Sequence, residues 1–522
     1  MQYQFSPGVT STGLDPNASY VSAPGSQYLY DSNGRVVLFH GVNVVYKRAP
    51  YIAYPDPGKP WNFDSSDAKA IASLGFNVVR LGIEWQAIEP GSGPPNQPKI
   101  CTPGKPQNPD EFNAAVARRY LDKVAETVNL LSRYGIYTLL DMHQDVYSQL
   151  FRGEGAPAWA VCTDGKRIVP LGGRWSDNYS NATLDIAEGD FWRNDVVGNL
   201  QGQYDLSWET VAKYFANDPW ILGYDPYNEP FSPSITLEQR GQFTTELECF
   251  YAGTGASLTT GQPPTQLSCP RDDPEYGVVP TIEGVDPHHL IFVEPDNFTA
   301  RGLPSLLGPM PFPRLVYNFH IYCSERSPVT GNPTNLEACA QSEVSTALNE
   351  IIARFNMASN AQPGGPAWFM SEFGATTSTE LVGLVTGAAA TTNIGWTYWS
   401  WKYYKDPTGS RAEPLVQPSG SYSPILPALS FTYAQAVAGM PDSVAVDPVS
   451  GGFEMTYSPG VGQSSSTSIY VAASVHYPNG WCVAVQGGTV ASQPGNVLLQ
   501  IATAPNASRV AVTVTGGRCP SS

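Results

Sequence analysis

Two glutamates stand out by their surroundings. Glu229 lies in "WILGYDPYNEPF" and Glu372 in "AWFMSEFG". Proline cannot donate to a ladder and asparagine is a poor strand former. An apolar run that ends in a carboxylate pinned between Asn228 and Pro230 therefore reads as a strand stopping at a functional turn. Two carboxylates flanking one bond are what glycoside hydrolysis requires. One must hold a proton for the leaving oxygen, and the other must stay ionised to attack the anomeric carbon, so their surroundings have to separate their pKa values. Arg80 and the Tyr322 hydroxyl are placed to keep Glu372 ionised. Glu229, next to His320 and with fewer partners, is expected to keep the proton. Asn228 is expected to grip a sugar 2-hydroxyl, and Trp399 to offer a flat apolar face to a pyranose ring. Any one of these residues has an ordinary structural use as a cap or an arginine partner; the joint pattern carries the argument.

Positioning them requires strands whose ends converge. Eight apolar runs qualify: "VVLFHGVNVV", "NVVRLGIEW", "YTLLDMHQD", "ILGYDPYNEP", "LIFVEPDN", "LVYNFHIY", "AWFMSEFG" and "IGWTYWSWKYY". Helical patterns lie between many of them: "SSDAKAIASLGF", "NAAVARRYLDKVAETVNLLSRYG", "SWETVAKYFAN" and "TALNEIIARFNMA". Strand–helix alternation predicts parallel strands, and eight repeats predict a (β/α)8 barrel with its active site at the strands' C-terminal ends. The connection around "RGLPSLLGPM" is too short for a full helix. After about Gly439 the texture becomes strand-like with turn signals, which predicts a small β-sandwich. The expected division is a catalytic barrel over residues 1–435 and a sandwich over 436–522; a carbohydrate-binding module is one reading of the sandwich, and a buttress on the barrel is favoured over it because no obvious linker separates the two. Residues 146–203 form a very long connection after the third strand, and long connections in compact domains are commonly functional. Its Phe151, Trp159, Phe191 and Trp192 are candidates for an apolar channel or for packing the segment onto the barrel.

Composition narrows the class. The chain has 522 residues, 42% hydrophobic and 14% charged, with 49 glycines, 47 prolines and 28 tyrosines, so it is folded and rich in loops. Its formal net charge of −17 disfavours nucleic acid and nonspecific attraction to anionic membranes. Eight cysteines without a CxxC predict disulfides and an oxidising compartment, with sequence neighbours as candidate pairs and the connectivity open. No apolar run is long enough to span a bilayer. The N-terminal residues show no signal peptide, and a secreted protein that has lost one is expected. Sequons stand at Asn17, Asn178, Asn181, Asn297 and Asn506. No cluster of His, Asp or Glu has metal-ligand spacing, and neither a metal nor a cofactor is expected.

"GFNVVRLGIEW", "DMHQD", "YNEPF", "FHIY", "SEFG" and "GWTYWSWK" together resemble glycoside hydrolase family five, in its retaining clan with catalytic glutamates on strands four and seven. The resemblance implies Glu229 as acid/base, Glu372 as nucleophile, and Arg80, His143, Asn228, His320, Tyr322 and Trp399 as the supporting set. Within that family, "GVNVVYKRAPY", "LLDMHQDVYSQLF", "GEGAPAWAV" and the appended sandwich resemble the endoglycoceramidases. These cleave the β-linkage between the intact glycan and the ceramide of a glycosphingolipid. That likeness implies Lys47 and Asp145 as glycan-binding residues, a glycosphingolipid substrate, transient contact with a membrane or micelle, and a monomer. Strand five departs from the pattern: "FVEPDNF" has Asp296 and Asn297 where a glutamine is expected, which leaves glycan-series preference open. The rival readings are another family-five retaining β-glycosidase (acting on glucosylceramide, sterylglucoside or polysaccharide) and a non-enzymatic sugar-binding barrel.

Overall fold

The structure, a computed structural model, describes residues 1–5, 19–91, 112–194, 199–231, 236, 239–253, 257–258, 265–266, 277–323, 327, 332–342, 357–460, 466–493 and 495–519. Eight parallel strands close into a barrel: β1 (His40–Val44), β2 (Val78–Ile83), β3 (Tyr137–Met142), β4 (Ile221–Asp225), β5 (Leu290–Val293), β6 (Leu315–Ile321), β7 (Ala367–Phe373) and β8 (Gly395–Tyr398). Every residue of these strands is buried, which is why they read as continuous apolar runs rather than alternating ones.

Helices pack around the outside. Helix α1 (Ser65–Ser73) starts at a capping box in which Asp64 accepts from Ser66 N and Asp67 accepts from Asp64 N. Helix α2 (Ala114–Ser132) is capped by Asn113, and α3 (Ala182–Arg193) by Asn181. Helix α4 (Leu200–Phe215) starts seven residues before the pattern "SWETVAKYFAN" at 207–217, because Leu200 and Tyr204 extend its buried face. The connection around "RGLPSLLGPM" holds only the 3₁₀ turn Thr299–Arg301. The helical pattern at 346–358 falls almost wholly outside the described residues.

The run "VVLFHGVNVV" proves to be two strands. His40–Val44 enters the barrel, whereas Val36–Val37 pairs with Tyr433–Val437 in a second unit. That unit is a sandwich of a five-stranded and a six-stranded sheet whose facing side chains, including Phe453, Tyr457, Ile469, Trp481, Leu499 and Val512, form their own core. Gln2–Phe5 pairs with Trp481–Gln486, and Leu29–Tyr30 with Val36–Val37, so segments from before the barrel help to build it. The sandwich rests against α1: the Tyr433 hydroxyl donates to Gly75 O at 2.7 Å, that of Tyr470 to Ser73 O at 3.0 Å, and Ser430 Oγ to Leu74 O at 2.9 Å. Disulfides join Cys323 to Cys339 and Cys482 to Cys519. Cys162 and Cys249 are also disulfide-bonded, while Cys101 and Cys269 lie outside the described residues. Among the described residues no helix is long and apolar enough to cross a membrane.

Candidate active site

A cleft of about 1050 Å³ opens at the C-terminal ends of the barrel strands. Lys47, His143, Asp145, Asn228, Glu229, Tyr322, Glu372 and Trp399 all line it. Arg80 and His320 lie directly beneath, 0% and 3% exposed. All ten residues singled out in the sequence therefore meet in one place. Among the described residues none that lines the cleft follows Glu413, and the described part of the C-terminal sandwich takes no part in its wall.

Local structure aims the two glutamates. Glu372 is the penultimate residue of β7. A register irregularity between β6 and β7 sets His320 opposite Glu372, skipping Ser371, so both neighbours reach the same imidazole. Ser371 Oγ meets His320 Nε2 at 2.9 Å, and a Glu372 oxygen lies 3.6 Å from Nδ1. Gly374 explains the last letter of "SEFG". Its φ is +96°, and a Cβ there would fall 2.3 Å from the Tyr398 ring. Glu229 is not on a strand: it sits four residues past the end of β4, at φ 46° in the left-handed region. A non-glycine residue held there is strained by about 1–3 kcal/mol and persists only where its surroundings over-determine it. Here Glu229 N donates to Glu294 Oε2 at 3.0 Å, Asn297 N donates to Pro230 O at 2.8 Å, and Gln144 Nε2 donates to Asn228 O at 2.8 Å.

Carboxylate oxygens of Glu229 and Glu372, with a nitrogen of His320, lie within 4.8 Å of one another. Retaining glycosidases hold their carboxyls about 5–5.5 Å apart, whereas inverting enzymes need about 6.5–9.5 Å. Arg80 organises the floor. It donates to Glu372 Oε1 at 2.7 Å, to Asn228 Oδ1 at 2.8 Å and to Asp225 Oδ2 at 3.0 Å, and pairs with Asp141 at 2.9 Å and Glu294 at 3.3 Å. Tyr322 donates its hydroxyl to Glu372 Oε2 at 2.8 Å. His143 holds Asp141 at 2.7 Å and stacks on Trp399 with rings 5.3 Å apart. Burial, then the Lys47 charge, keep His143 well below the usual histidine range, so its ring is neutral.

One sequence expectation needs correction. Glu229 is not the poorly paired carboxyl. His320 Nδ1 meets its Oε1 at 2.8 Å and Asn297 Nδ2 donates to its Oε2 at 3.1 Å. Burial alone would raise Glu229, but the bond and charge of His320 outweigh it and leave its pKa lowered. His320 is raised well above the usual histidine range: burial opposes this, but Glu294, Glu372 and Glu229 surround the ring. Glu372 is raised to about 7, first by burial and then by Glu229 and Asp141, against the pull of His320 and Arg80. In the free site the proton therefore rests on Glu372 and the imidazole, the reverse of the expected order. Glu294, which completes this arrangement, was not legible as a site residue in the sequence, and Asn297 stood out there only as a departure on strand five and not as a partner of Glu229. They act through atoms that meet only when β4, β5 and β6 come together.

Two consequences are measurable. Below about pH 7 the Glu229–His320–Glu372 cluster carries two protons, and shifting one from Glu372 to Glu229 creates the reactive pair without a net change. Above that pH the second proton is lost, so kcat/KM should fall as pH rises through about 7. A profile still rising between pH 7 and 8.5 would contradict this. The second consequence concerns stability. A carboxyl raised from 4.5 to about 7 keeps its proton in the folded chain while the unfolded chain has lost it. Stability therefore declines as pH rises from about 4.5 to 7. Glu372→Gln removes that loss and should stabilise the protein by about 3 kcal/mol at pH 8 and by little at pH 4. Urea melts of both proteins at the two pH values check this.

The far end of the cleft is a charged socket. Lys47 bonds Asp145, donates to Thr408 Oγ1 at 2.8 Å, lies 3.3 Å from Glu154 and sits 4.6 Å from the Trp399 ring centre. Burial opposes its charge, but Asp145 and Glu154 outweigh it and hold the ammonium ionised. His143, Asp145 and Glu154 are close enough to hold a metal ion, and the Lys47 ammonium pairs with two of them, Asp145 and Glu154. Trp399 donates its indole N–H to Glu413 Oε2 at 3.3 Å, another contact not read from the sequence.

The long connection after β3 resolves into three 3₁₀ turns (Gln149–Phe151, Ala158–Ala160, Trp175–Ser180), followed by α3 and the start of α4. Phe151, Trp159, Phe191 and Trp192 are all buried and none lines the cleft. Phe191 and Trp192 pack with Tyr204, Tyr227 and Phe250, and Trp159 against Trp85. They anchor the segment to the barrel. Besides Tyr322 and Trp399, the aromatic side chains that line the cleft include Trp175, Tyr179 and Phe231.

A closed parallel barrel with two carboxyls at this spacing over its C-terminal face is the framework of a glycoside hydrolase. Residues 31–405 match the family profile described as cellulase (glycosyl hydrolase family 5), and residues 432–515 that of the glycoside hydrolase family 5 C-terminal domain. The chain belongs to glycoside hydrolase family 5. It is similar to endoglycoceramidase I of Rhodococcus hoagii (strain 103S), with 28% identity over 487 residues, 90% of this chain and 83% of that one. It is also similar to an endoglycoceramidase of Cyanea nozakii, with 27% identity covering 88% and 86% of the two chains. Among solved structures it resembles endo-glycoceramidase II from Rhodococcus sp. in a cellobiose-like imidazole complex. There the TM-score is 0.68 and the identity 25%, over 94% of this chain and 100% of that one.

Proposed function

We propose that this chain is a secreted endoglycosidase that releases an intact oligosaccharide from the ceramide of a glycosphingolipid, with retention. The observation that carries the reading is that the cleft about its two carboxyls is lined both by groups suited to sugar hydroxyls and by a run of aromatic rings. Lys47, Asp145, Thr408, Ser410 and Glu413 gather at one end with Trp399, a surface for sugar hydroxyls and a ring face. Trp175, Tyr179 and Phe231 line a further stretch of the wall, Tyr179 packing on Trp175 at 6.0 Å and on Phe231 at 4.8 Å. Phe231 follows Glu229 by two residues, so the aromatic wall lies on the side of the group that protonates the leaving oxygen. A leaving group on that side meets apolar rings, as a lipid aglycone needs. The curated endoglycoceramidase relatives support the same substrate class.

Glycan binding brings the anomeric carbon over Glu372 and the bridging oxygen beside Glu229. A proton passes from Glu229 to that oxygen while a Glu372 oxygen attacks the anomeric carbon, and ceramide leaves. Arg80 and the Tyr322 hydroxyl stabilise Glu372 as it is bared. Asn228 uses one amide N–H on Gln144 O, which leaves the other for the sugar 2-hydroxyl. Glu229 then takes a proton from water, which attacks the glycosyl-enzyme ester and frees the sugar with its original anomeric configuration. We assign the chemistry to the barrel and a buttressing role to the sandwich, which takes strands from 2–5, 29–30, 36–37 and 433–437 as well as from 436–522.

The test is kcat/KM for one glycan on ceramides of decreasing acyl length and on a simple alkyl aglycone. Each buried methylene contributes about 0.8 kcal/mol, so KM should rise as the chain shortens. Where chain binding helps to orient the scissile bond, kcat should fall too. A flat series, or faster cleavage of cello-oligosaccharides than of any glycolipid, would overturn the ceramide reading.

A further inference from the structure

The connection that walls the aglycone end of the cleft also carries an exposed turn with an unusual composition. In "VCTDGKRIVPLGGRW", residues 161–175, three cations face one carboxylate, Asp164, although the whole chain has a net charge of −17. Val169 is 60% and Leu171 38% exposed, among the few large apolar side chains left in solvent. Lys166, Arg167 and Arg174 are exposed around them. Neither Lys166 nor Arg167 has an ion-pair partner among the described residues, and Arg174 approaches only Asp177, at 3.5 Å. The turn is not a loose end. Leu171 N donates to Asn178 Oδ1 at 2.7 Å, Asn181 Nδ2 donates to Val169 O at 3.1 Å, and Arg152 Nη1 donates to Leu171 O at 2.9 Å. Asn181, Arg174 and Trp175 themselves line the cleft, with Arg301 as a further cation and Asp177 and Asp185 as acidic neighbours on the same lining. An apolar tip and a ring of cations are thus fixed rigidly to the wall through which a lipid aglycone must enter.

We infer that residues 165–174 dock on an anionic lipid surface and hold the aglycone end of the cleft against it. The inference rests on the ceramide reading for its purpose, but the contact itself is with phosphate-bearing headgroups and not with the scissile glycan. Cations near such a surface each contribute about 1 kcal/mol, and their field is felt only within a Debye length of about 8 Å. A local basic rim therefore attracts while the distant negative charge is screened. Val169, Pro170 and Leu171 are placed to enter the interface between headgroups and acyl chains.

Vesicle sedimentation and kinetics test this. Wild type should bind vesicles of phosphatidylcholine with 30% phosphatidylserine, bind pure phosphatidylcholine much more weakly, and release in high salt. Lys166→Glu/Arg167→Glu should weaken binding at least fivefold per position, and Val169→Asp/Leu171→Ser should abolish it. On glycosphingolipid embedded in those vesicles, both variants should raise KM at least tenfold. On a soluble aryl β-lactoside they should match wild type, which also shows that they are folded. Variants that bind vesicles as wild type does, or that lose equal activity on the soluble substrate, would overturn the docking surface. Salt-sensitive vesicle binding by a protein that leaves every micellar glycosphingolipid intact would sink the ceramide reading and leave this surface standing.

Discussion

Glu372→Gln is expected to lower turnover by roughly 10⁴-fold or more while the protein stays folded. The amide is isosteric, still accepts from Arg80, and removes a buried charge in a site where Asp141, Asp225, Glu229, Glu294 and Glu372 crowd around Arg80 and His320. What it cannot do is attack the anomeric carbon. Loss of activity together with higher alkaline stability would be the signature of a residue kept for chemistry at a cost to the fold. Glu372→Ser should in addition condense an activated α-glycosyl fluoride with a lipid acceptor, since the pocket left by the nucleophile accommodates the fluoride. More than a few per cent of wild-type turnover in Glu372→Gln would remove Glu372 from the mechanism.

Glu229→Ala should separate the two steps. On natural glycolipid the leaving alkoxide needs a proton, and losing a positioned acid costs roughly 10²–10⁴-fold. On an aryl glycoside whose phenolate leaves unaided, the first step should be nearly unaffected, and azide should rescue the second by attacking the ester directly. The substitution also removes the acceptor of Asn297 and one of the carboxylates around His320, so the imidazole titration should move downward by NMR while Glu294 and Glu372 still hold it raised. Equal losses on both substrates would mean that Glu229 is not the acid. His320→Gln offers an independent check on its setting. It should displace the alkaline limb of kcat/KM, because His320 is the strongest influence holding Glu229 below its ordinary value after burial is overcome.

The barrel was legible because each of its strands is buried along its whole length, so hydrophobic runs alone marked all eight. The misreading at 36–45 has the same origin. Val36 and Val37 are as apolar as the barrel strand that follows but are buried by the second sheet, and periodicity does not say which core covers a residue. The two glutamates were legible from their immediate neighbours, Asn228 and Pro230 for one, Ser371 and Gly374 for the other. Glu294 was missed because its function is to accept from a backbone N–H of a different loop and to sit beside His320 and Arg80, at 3.2 and 3.3 Å. The protonation order was misjudged for a related reason: His320 was placed near Glu229 but not counted as a cation, and only its ring of three carboxylates makes it one. The aromatic residues of the long connection were visible as a group but not by role. Phe191 and Trp192 on α3 face inward, while Trp175 and Tyr179 in the preceding turn face the cleft.

The central claim joins a bond, a stereochemical course and a substrate, and one product analysis tests all three. The enzyme is incubated with a glycosphingolipid carrying at least three sugars. Mass spectrometry follows the lipid and sugar products, and NMR follows the first-formed anomer before mutarotation. Free ceramide is expected, together with the complete oligosaccharide with no monosaccharide released ahead of it, and the β-anomer at the new reducing end. Stepwise loss of terminal sugars, glucosylceramide as the lipid product, or an α-anomer formed first would contradict the claim.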